Sequence, residues 1–185
     1  MKRSILITKL ILIAISFSYS QVTNYGVSSG TQGTNNSFFG HSAGNAAQPA
    51  SQHNSFLGIN AAKQTTTGFS NTAVGSEALL SNTTGNRNVA VGAVALKSNI
   101  TGFSNTAVGM YSMFYNTNGI ENTAVGELAL TNNTSGSINS AVGVHALGLN
   151  ETGTSNTGVG YMCLHSNKYG HNNTAIGTEA MRFGS

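Results

Sequence analysis

A single string sets the terms for this chain: Asn71 to Gly85, NTAVGSEALLSNTTG, which recurs until the sequence ends. Its anchor, Asn-x-Ala-Val-Gly, places glycines at Gly75, Gly92, Gly109, Gly126, Gly143, Gly160 and Gly177, each 17 residues after the last. Two looser copies, NSFFG ending at Gly40 and NSFLG ending at Gly58, extend the array upstream with steps of 18 and then 17. Self-similarity at so short a fixed period is the signature of a solenoid, in which each repeat buries its apolar face only against its neighbours.

The columns of the repeat separate strand from helix. Counting from the anchor glycine as zero, position −2 is Ala or Gly, −1 is Val or Ile, +3 is Ala, Ser or Cys, +4 is Leu or Met, and +10 is Gly. Asparagine holds −4 (Asn71, Asn88, Asn105, Asn122, Asn139, Asn156 and Asn173) and +7 (Asn82, Asn99, Asn116, Asn133, Asn150 and Asn167). A helical hairpin repeat needs roughly 33 residues or more, so a unit this short has no room for two helices. The expected fold is all-β: a parallel β-solenoid of about nine 17-residue coils over residues 36–185, with two short strands per coil, Thr72–Val74 and Glu77–Leu80 in the type copy. Asn82-Thr83-Thr84-Gly85 supplies the turn, because Asn and Gly tolerate positive φ at little steric cost. The two asparagine columns are expected to stack as hydrogen-bonded ladders that pin one coil on the next. Glycosylation is the rival reading for Asn82, Asn99 and Asn150, which open formal sequons.

Residues 36–68 read as atypical capping repeats, with Phe38, Phe39, Phe56 and Leu57 where later copies carry Ala and Val, and 69–185 as regular repeats. Pro49, the only proline, falls in a connection where it spoils no ladder bond. Residues 21–35 are a Gly-, Ser- and Thr-rich lead-in or a degenerate first coil, with one echo in Asn24-Tyr25-Gly26. Residues 1–20 have the pattern of a secretory signal: Lys2 and Arg3, an apolar run from Leu6 to Ile15, and Ser18-Tyr19-Ser20 before a cut at Gln21. That run falls short of the ~20 residues a spanning helix needs, so no membrane span is expected after its removal.

Export changes the charge balance. The chain has 8 Lys and Arg against 5 Asp and Glu, and Lys2, Arg3 and Lys9 leave with the signal, so the mature chain is neutral. No basic surface remains to argue for nucleic acid. All five acids are glutamates, which excludes calcium loops built on aspartate and the Ser-His-Asp triad. The lone Cys163 sits in the small-residue column at +3 and makes no intrachain disulfide. The histidines fall in different columns, so no stacked metal site is expected. Neither catalytic residues, metal nor cofactor are assigned, and the chain is read as a non-enzyme.

The core is thin, which points to a second buried surface. If Val at −1 faces into the coil, strand alternation turns Ala at −2 outward. Ala73, Ala90, Ala107, Ala124, Ala141 and Ala175 would then form a stripe against other copies of the chain. The same alternation bears on ice or crystal binding, the alternative function. Threonine at −3 (Thr72, Thr106, Thr123, Thr157 and Thr174) would make a regular hydroxyl ladder, but it lies on the side of Val and so would face inward.

The recurrent NTAVG, NSAVG and NTAIG resemble the SVAIG-type anchor of trimeric autotransporter adhesin heads. The longer NTAVGxxALxxNTTG is similar to repeat regions of exported surface and fibre proteins of Bacteroidota. The resemblance implies a left-handed parallel β-roll, a homotrimer, and a passive surface structure that attaches to an unidentified host, matrix or environmental ligand. Attachment would use bulky residues that break the repeat, namely Tyr111, Phe114, Tyr115 and Tyr161. A fragment of a longer fibre protein acting only as a spacer is the remaining expectation.

Overall fold

In the computed structural model, which describes residues 23–25 and 34–183, the chain is a parallel β-solenoid with one three-residue strand per coil. Ten strands form one sheet in sequence order: β1 (Thr23–Tyr25), β2 (Ser37–Phe39), β3 (Ser55–Leu57), β4 (Thr72–Val74), β5 (Val89–Val91), β6 (Thr106–Val108), β7 (Thr123–Val125), β8 (Ser140–Val142), β9 (Thr157–Val159) and β10 (Thr174–Ile176). Every pairing is parallel and keeps equivalent repeat positions opposite one another, as Thr106↔Thr123, Ala107↔Ala124 and Val108↔Val125 show. β1 adds a strand ahead of the first anchor copy, with Thr23 opposite Ser37. The signal segment lies outside the described residues.

The second segment of each coil is not a strand. Residues 77–80 form turns, and φ alternates in sign along them, with Glu77 at 57° and Leu79 at 56°. The amides alternate too: Ala78 N and Leu80 N donate back to Gly75 O and Glu77 O within the coil, whereas Leu79 N and Ser81 N donate to Ala95 O and Lys97 O of the next coil. A pleated strand would send Ala78 and Leu79 to opposite faces. Coiling the backbone this way turns both inward, and both are fully buried.

The strand triplet faces the other way from the sequence expectation. Ala73, Ala90, Ala107, Ala124 and Ala141 are 0% exposed and Ala175 is 7% exposed, so the alanine column is core and cannot be a subunit contact. Valine at −1 and threonine at −3 lie on the outer face, with Val125 at 38% and Val142 at 40% exposure. Volume decides this. Each regular coil already holds a Leu or Met, a second small residue and two Asn side chains inside, leaving room at −2 for a methyl group only. The first two coils make the same point with the sizes exchanged: Phe38 and Phe56 fill −2, stacked at 5.0 Å, and Gly44 and Ala62 stand at +4 where later coils carry Leu or Met. A Cβ on Gly44 would sit 2.7 Å from the Phe38 ring.

The two glycine columns serve different needs. Gly75 has φ +132°, and a Cβ there would lie 2.5 Å from Gly92 O, so both conformation and spacing demand glycine. Gly85 has no positive φ; it is required because the Asn82 side chain and Gly102 O occupy the space a Cβ would take. The turn asparagines need no positive φ either. The left-handed positions are −5, +2 and +4, occupied by residues as varied as Arg87, Val94 and Leu96.

Two substitutions should therefore move stability in opposite directions. Gly75→Ala should cost more than ~3 kcal/mol through clash and strain. Ile138→Asn should gain about 1 kcal/mol by relieving a β-branched residue from the left-handed region, since Ile138 has φ 61° with an exposed side chain and Asn172 holds the same column at 57°. Urea unfolding midpoints check both; an alanine tolerated at residue 75 would contradict the packing described.

Candidate functional site

Three sets of side chains stand out: the asparagine columns, the outward Thr/Val face, and a cluster of aromatics on the far side of the turn segment. The asparagines are structural in every contact they make. At −4, the Asn88 backbone N–H and Nδ2 both donate to Asn71 Oδ1, at 3.0 and 3.2 Å, and Nδ2 donates again to Gly102 O at 2.9 Å. The pattern of a backbone N–H donating to the preceding Asn Oδ1 runs from Asn36 to Asn173. At +7, Asn99, Asn116, Asn133 and Asn150 each donate to the preceding Oδ1 at 2.8–2.9 Å and also to the +10 carbonyl of their own turn. That second ladder ends at Asn150, whose buried Oδ1 has no partner, and Asn167 turns to Gly170 O and Asn173 instead. Asn82, Asn99 and Asn150 are fully buried, so the folded coil offers none of the three sequons to a glycosylating enzyme.

The outward face consists of the −3 and −1 columns of β2 to β10. It carries Ser37, Ser55, Thr72, Val89, Thr106, Thr123, Ser140, Thr157 and Thr174 beside Phe39, Leu57, Val74, Val91, Val108, Val125, Val142, Val159 and Ile176. Not one of these residues is charged. In-register parallel pairing repeats the hydroxyls and branched methyls at the ~4.8 Å strand spacing; the sequence expectation, which buries valine, puts this whole face in the interior.

Of the four aromatics that break the repeat, the structure gathers three. Tyr111 and Phe114 lie 5.3 Å apart, and Phe114 meets Tyr115 edge-on at 4.6 Å. Lys97 Nζ lies 5.6 Å from the centre of the Phe114 ring and is itself held by Glu77 at 2.8 Å. Tyr161, on a coil three repeats further on, stands apart from this cluster at 45% exposure.

The reactive residue types are engaged in packing. Cys163 is buried and donates its thiol to Ala175 O at 3.1 Å, just as Ser112 in the same column donates to Ala124 O at 3.2 Å. Burial pushes the Cys163 thiol pKa up, partly offset by a backbone bond with Val159, which disfavours the reactive thiolate. His145 and His165, in different columns of adjacent coils, meet at 5.8 Å, a pairing that column reasoning missed. His165 is held below the usual imidazole range by burial first, then by His145 and Arg182. Among the described residues no three His, Cys, Asp or Glu side chains gather as a metal site, and no helix is long and apolar enough to cross a membrane.

No protein-family model, curated protein or solved structure matches the chain.

Asn116→Ala should destabilise the solenoid by ~2–4 kcal/mol, because it leaves Asn99 Oδ1 unpartnered in the interior and takes one of two bonds from Gly119 O and from the Asn133 amide. Asn118→Ala, at an exposed position next to that turn, should stay within about 0.5 kcal/mol of the parent. Urea titrations of the two variants separate a ladder from a generic preference for asparagine; equal losses would remove the ladder as a source of stability.

Proposed function

We propose that this chain is a non-catalytic, exported structural protein, a rod segment at or beyond the cell surface that self-associates through its Thr/Val face and attaches through its outer variable columns. The observation that carries the reading is the uncharged, half-exposed Thr/Val face running the length of the sheet. Monomeric soluble proteins rarely leave a long contiguous apolar surface open, and such surfaces mark association sites. A second copy brought against it meets the same periodic ladder, which suits the self-complementary contacts of a symmetric oligomer.

Three copies is the number supported by the likeness of the NTAVG anchor to trimeric adhesin heads. On this reading the packing surface is valine and threonine, because the alanine column is buried in the core. Attachment then falls to the positions that the repeat leaves free, because each fixed position is taken up by backbone spacing, core, ladder or the Thr/Val face. The export signal read in residues 1–20 supports a location outside the cytoplasm.

A second reading is favoured by one specific observation. The threonine column, expected inside, is outside, which removes the objection to an ice- or crystal-binding face. Hydroxyls and methyls repeating on an uncharged sheet are what an ordered lattice can match.

One preparation separates the two. Residues 21–185 should have the mass of a trimer in sedimentation or light scattering, and Val108→Lys with Val125→Lys should release folded monomers, since both side chains leave the β-sheet on the solvent side. A well-folded parent that is already monomeric at micromolar concentration contradicts the self-association reading. Thermal hysteresis from that monomer would establish the second one.

A further inference from the structure

Beside the aromatic cluster a groove of about 550 Å³ runs along the solenoid, between the +6 column (Ser98, Tyr115 and Asn132) and the +8 column (Thr117, Thr134 and Glu151). Resting on the reading that attachment uses the outer variable columns, we infer that this groove binds a neutral saccharide, with the Tyr115 ring as its platform and Asn132 and Glu151 as its polar contacts.

The first support is the ring. Tyr115 is 53% exposed, with Phe114 edge-on against one side and Phe114 itself set against Tyr111 and Lys97. An exposed tyrosine supported on one side offers a large contact area with few rotatable bonds to immobilise. The pyranose ring is a ligand whose C–H face suits an aromatic plane and whose edge carries hydroxyls.

The second support is the hydrogen-bonding capacity of the groove. Three donors along the groove are committed: Thr117 Oγ1–H to Thr134 O and Thr134 Oγ1–H to Glu151 O, each at 3.0 Å, and one Asn132 Nδ2–H to Gly148 O at 3.0 Å. Toward a ligand there remain the Ser98 and Tyr115 hydroxyls and the second Asn132 N–H as donors, and the threonine lone pairs, Asn132 Oδ1 and the Glu151 carboxylate as acceptors. Lys168 at 3.3 Å and Tyr169 at 3.1 Å each take one carboxylate oxygen of Glu151, orienting it while leaving further lone pairs open. A groove that offers donors and acceptors together, with a carboxylate at one end, suits a ligand that carries several hydroxyls, each able to donate and accept, and no negative charge.

The +6 and +8 columns carry no such pairing elsewhere in the regular array. At +6 the other regular copies have Ser81, Leu149, Ser166 and Phe183, so tyrosine occurs once in that column and glutamate once at +8.

The test is titration of residues 21–185 with neutral gluco- and galacto-oligosaccharides and with sialylated and uronate oligosaccharides as the anionic set, by calorimetry and saturation-transfer NMR. At least one neutral oligosaccharide should bind, Tyr115→Ala should weaken it by about tenfold or more, and Tyr115→Phe should keep it within about threefold. Glu151→Gln should weaken binding without changing the unfolding midpoint. Absence of neutral-sugar binding at millimolar concentration, a preference for the anionic set, or binding indifferent to Tyr115→Ala would each overturn the inference. Oligomer mass is measured in the same samples: a trimer that binds no sugar overturns the groove alone, and a monomer that binds sugar through Tyr115 upholds the groove while overturning the assembly.

Discussion

The fold depends on how closely one coil can rest on the next. Between coils the anchor glycines meet backbone to backbone, with no space for a Cβ, and the adjoining asparagine spans the same gap by accepting the N–H of its counterpart one repeat on. Each interaction requires equivalent residues to face one another, so an extra residue has to be taken up outside the strand and ladder positions: across the 18-residue step, Asn54 N–H still donates to Asn36 Oδ1 at 2.9 Å. After Gly58 the step is 17 residues throughout. The only longer step, between Gly40 and Gly58, lies in the Phe-filled coils that also contain Pro49.

Because polar ladders and small residues occupy so much of the interior, little apolar surface is buried inside a single chain. Two alanine-class side chains and one leucine or methionine per regular coil make a narrow core, and the valine that would have thickened it faces outward. Buried amides stabilise only when all their partners are present, and here they are satisfied along nearly the whole stack. The consequence is a rod with a specified register and an apolar side still open. Self-association and lattice binding are two ways of covering that side; the saccharide groove, on the +6 and +8 columns, is independent of which one operates.

Much of this architecture was legible in the sequence. The period, the absence of helix among the described residues, the parallel stacking and the importance of both asparagine columns follow from which residue types recur and at what step. The orientation of the Thr-Ala-Val triplet was not, because alternation distinguishes two faces without saying which is inside, and hydropathy alone favours burying valine. Side-chain volume decides it, and the chain contains the clue: wherever −2 is Phe, +4 is Gly or Ala, and wherever −2 is Ala or Gly, +4 is Leu or Met. Two side chains that exchange bulk in this way share one space. The second segment held a similar clue, since adjacent apolar columns at +3 and +4 do not fit the alternation of a half-buried strand. The left-handed residues at −5, +2 and +4 had no compositional signal, and Leu79, Val94 and Ile138 occupy φ values that their types disfavour because the coil-to-coil bonds hold them there. The groove could not be seen either. It arises where Tyr115, which stands out in its own repeat, comes into line along the stack with Asn132 and Glu151, which do not.

The most direct measurement of the central claim, that stacked asparagines hold the coils in register from inside, is side-chain amide hydrogen exchange by NMR. The Nδ2 protons of Asn88, Asn105, Asn116 and Asn133 should be strongly protected, while those of the exposed Asn118 exchange as in a free peptide. Rapid exchange at the four interior asparagines in a folded sample would contradict the account.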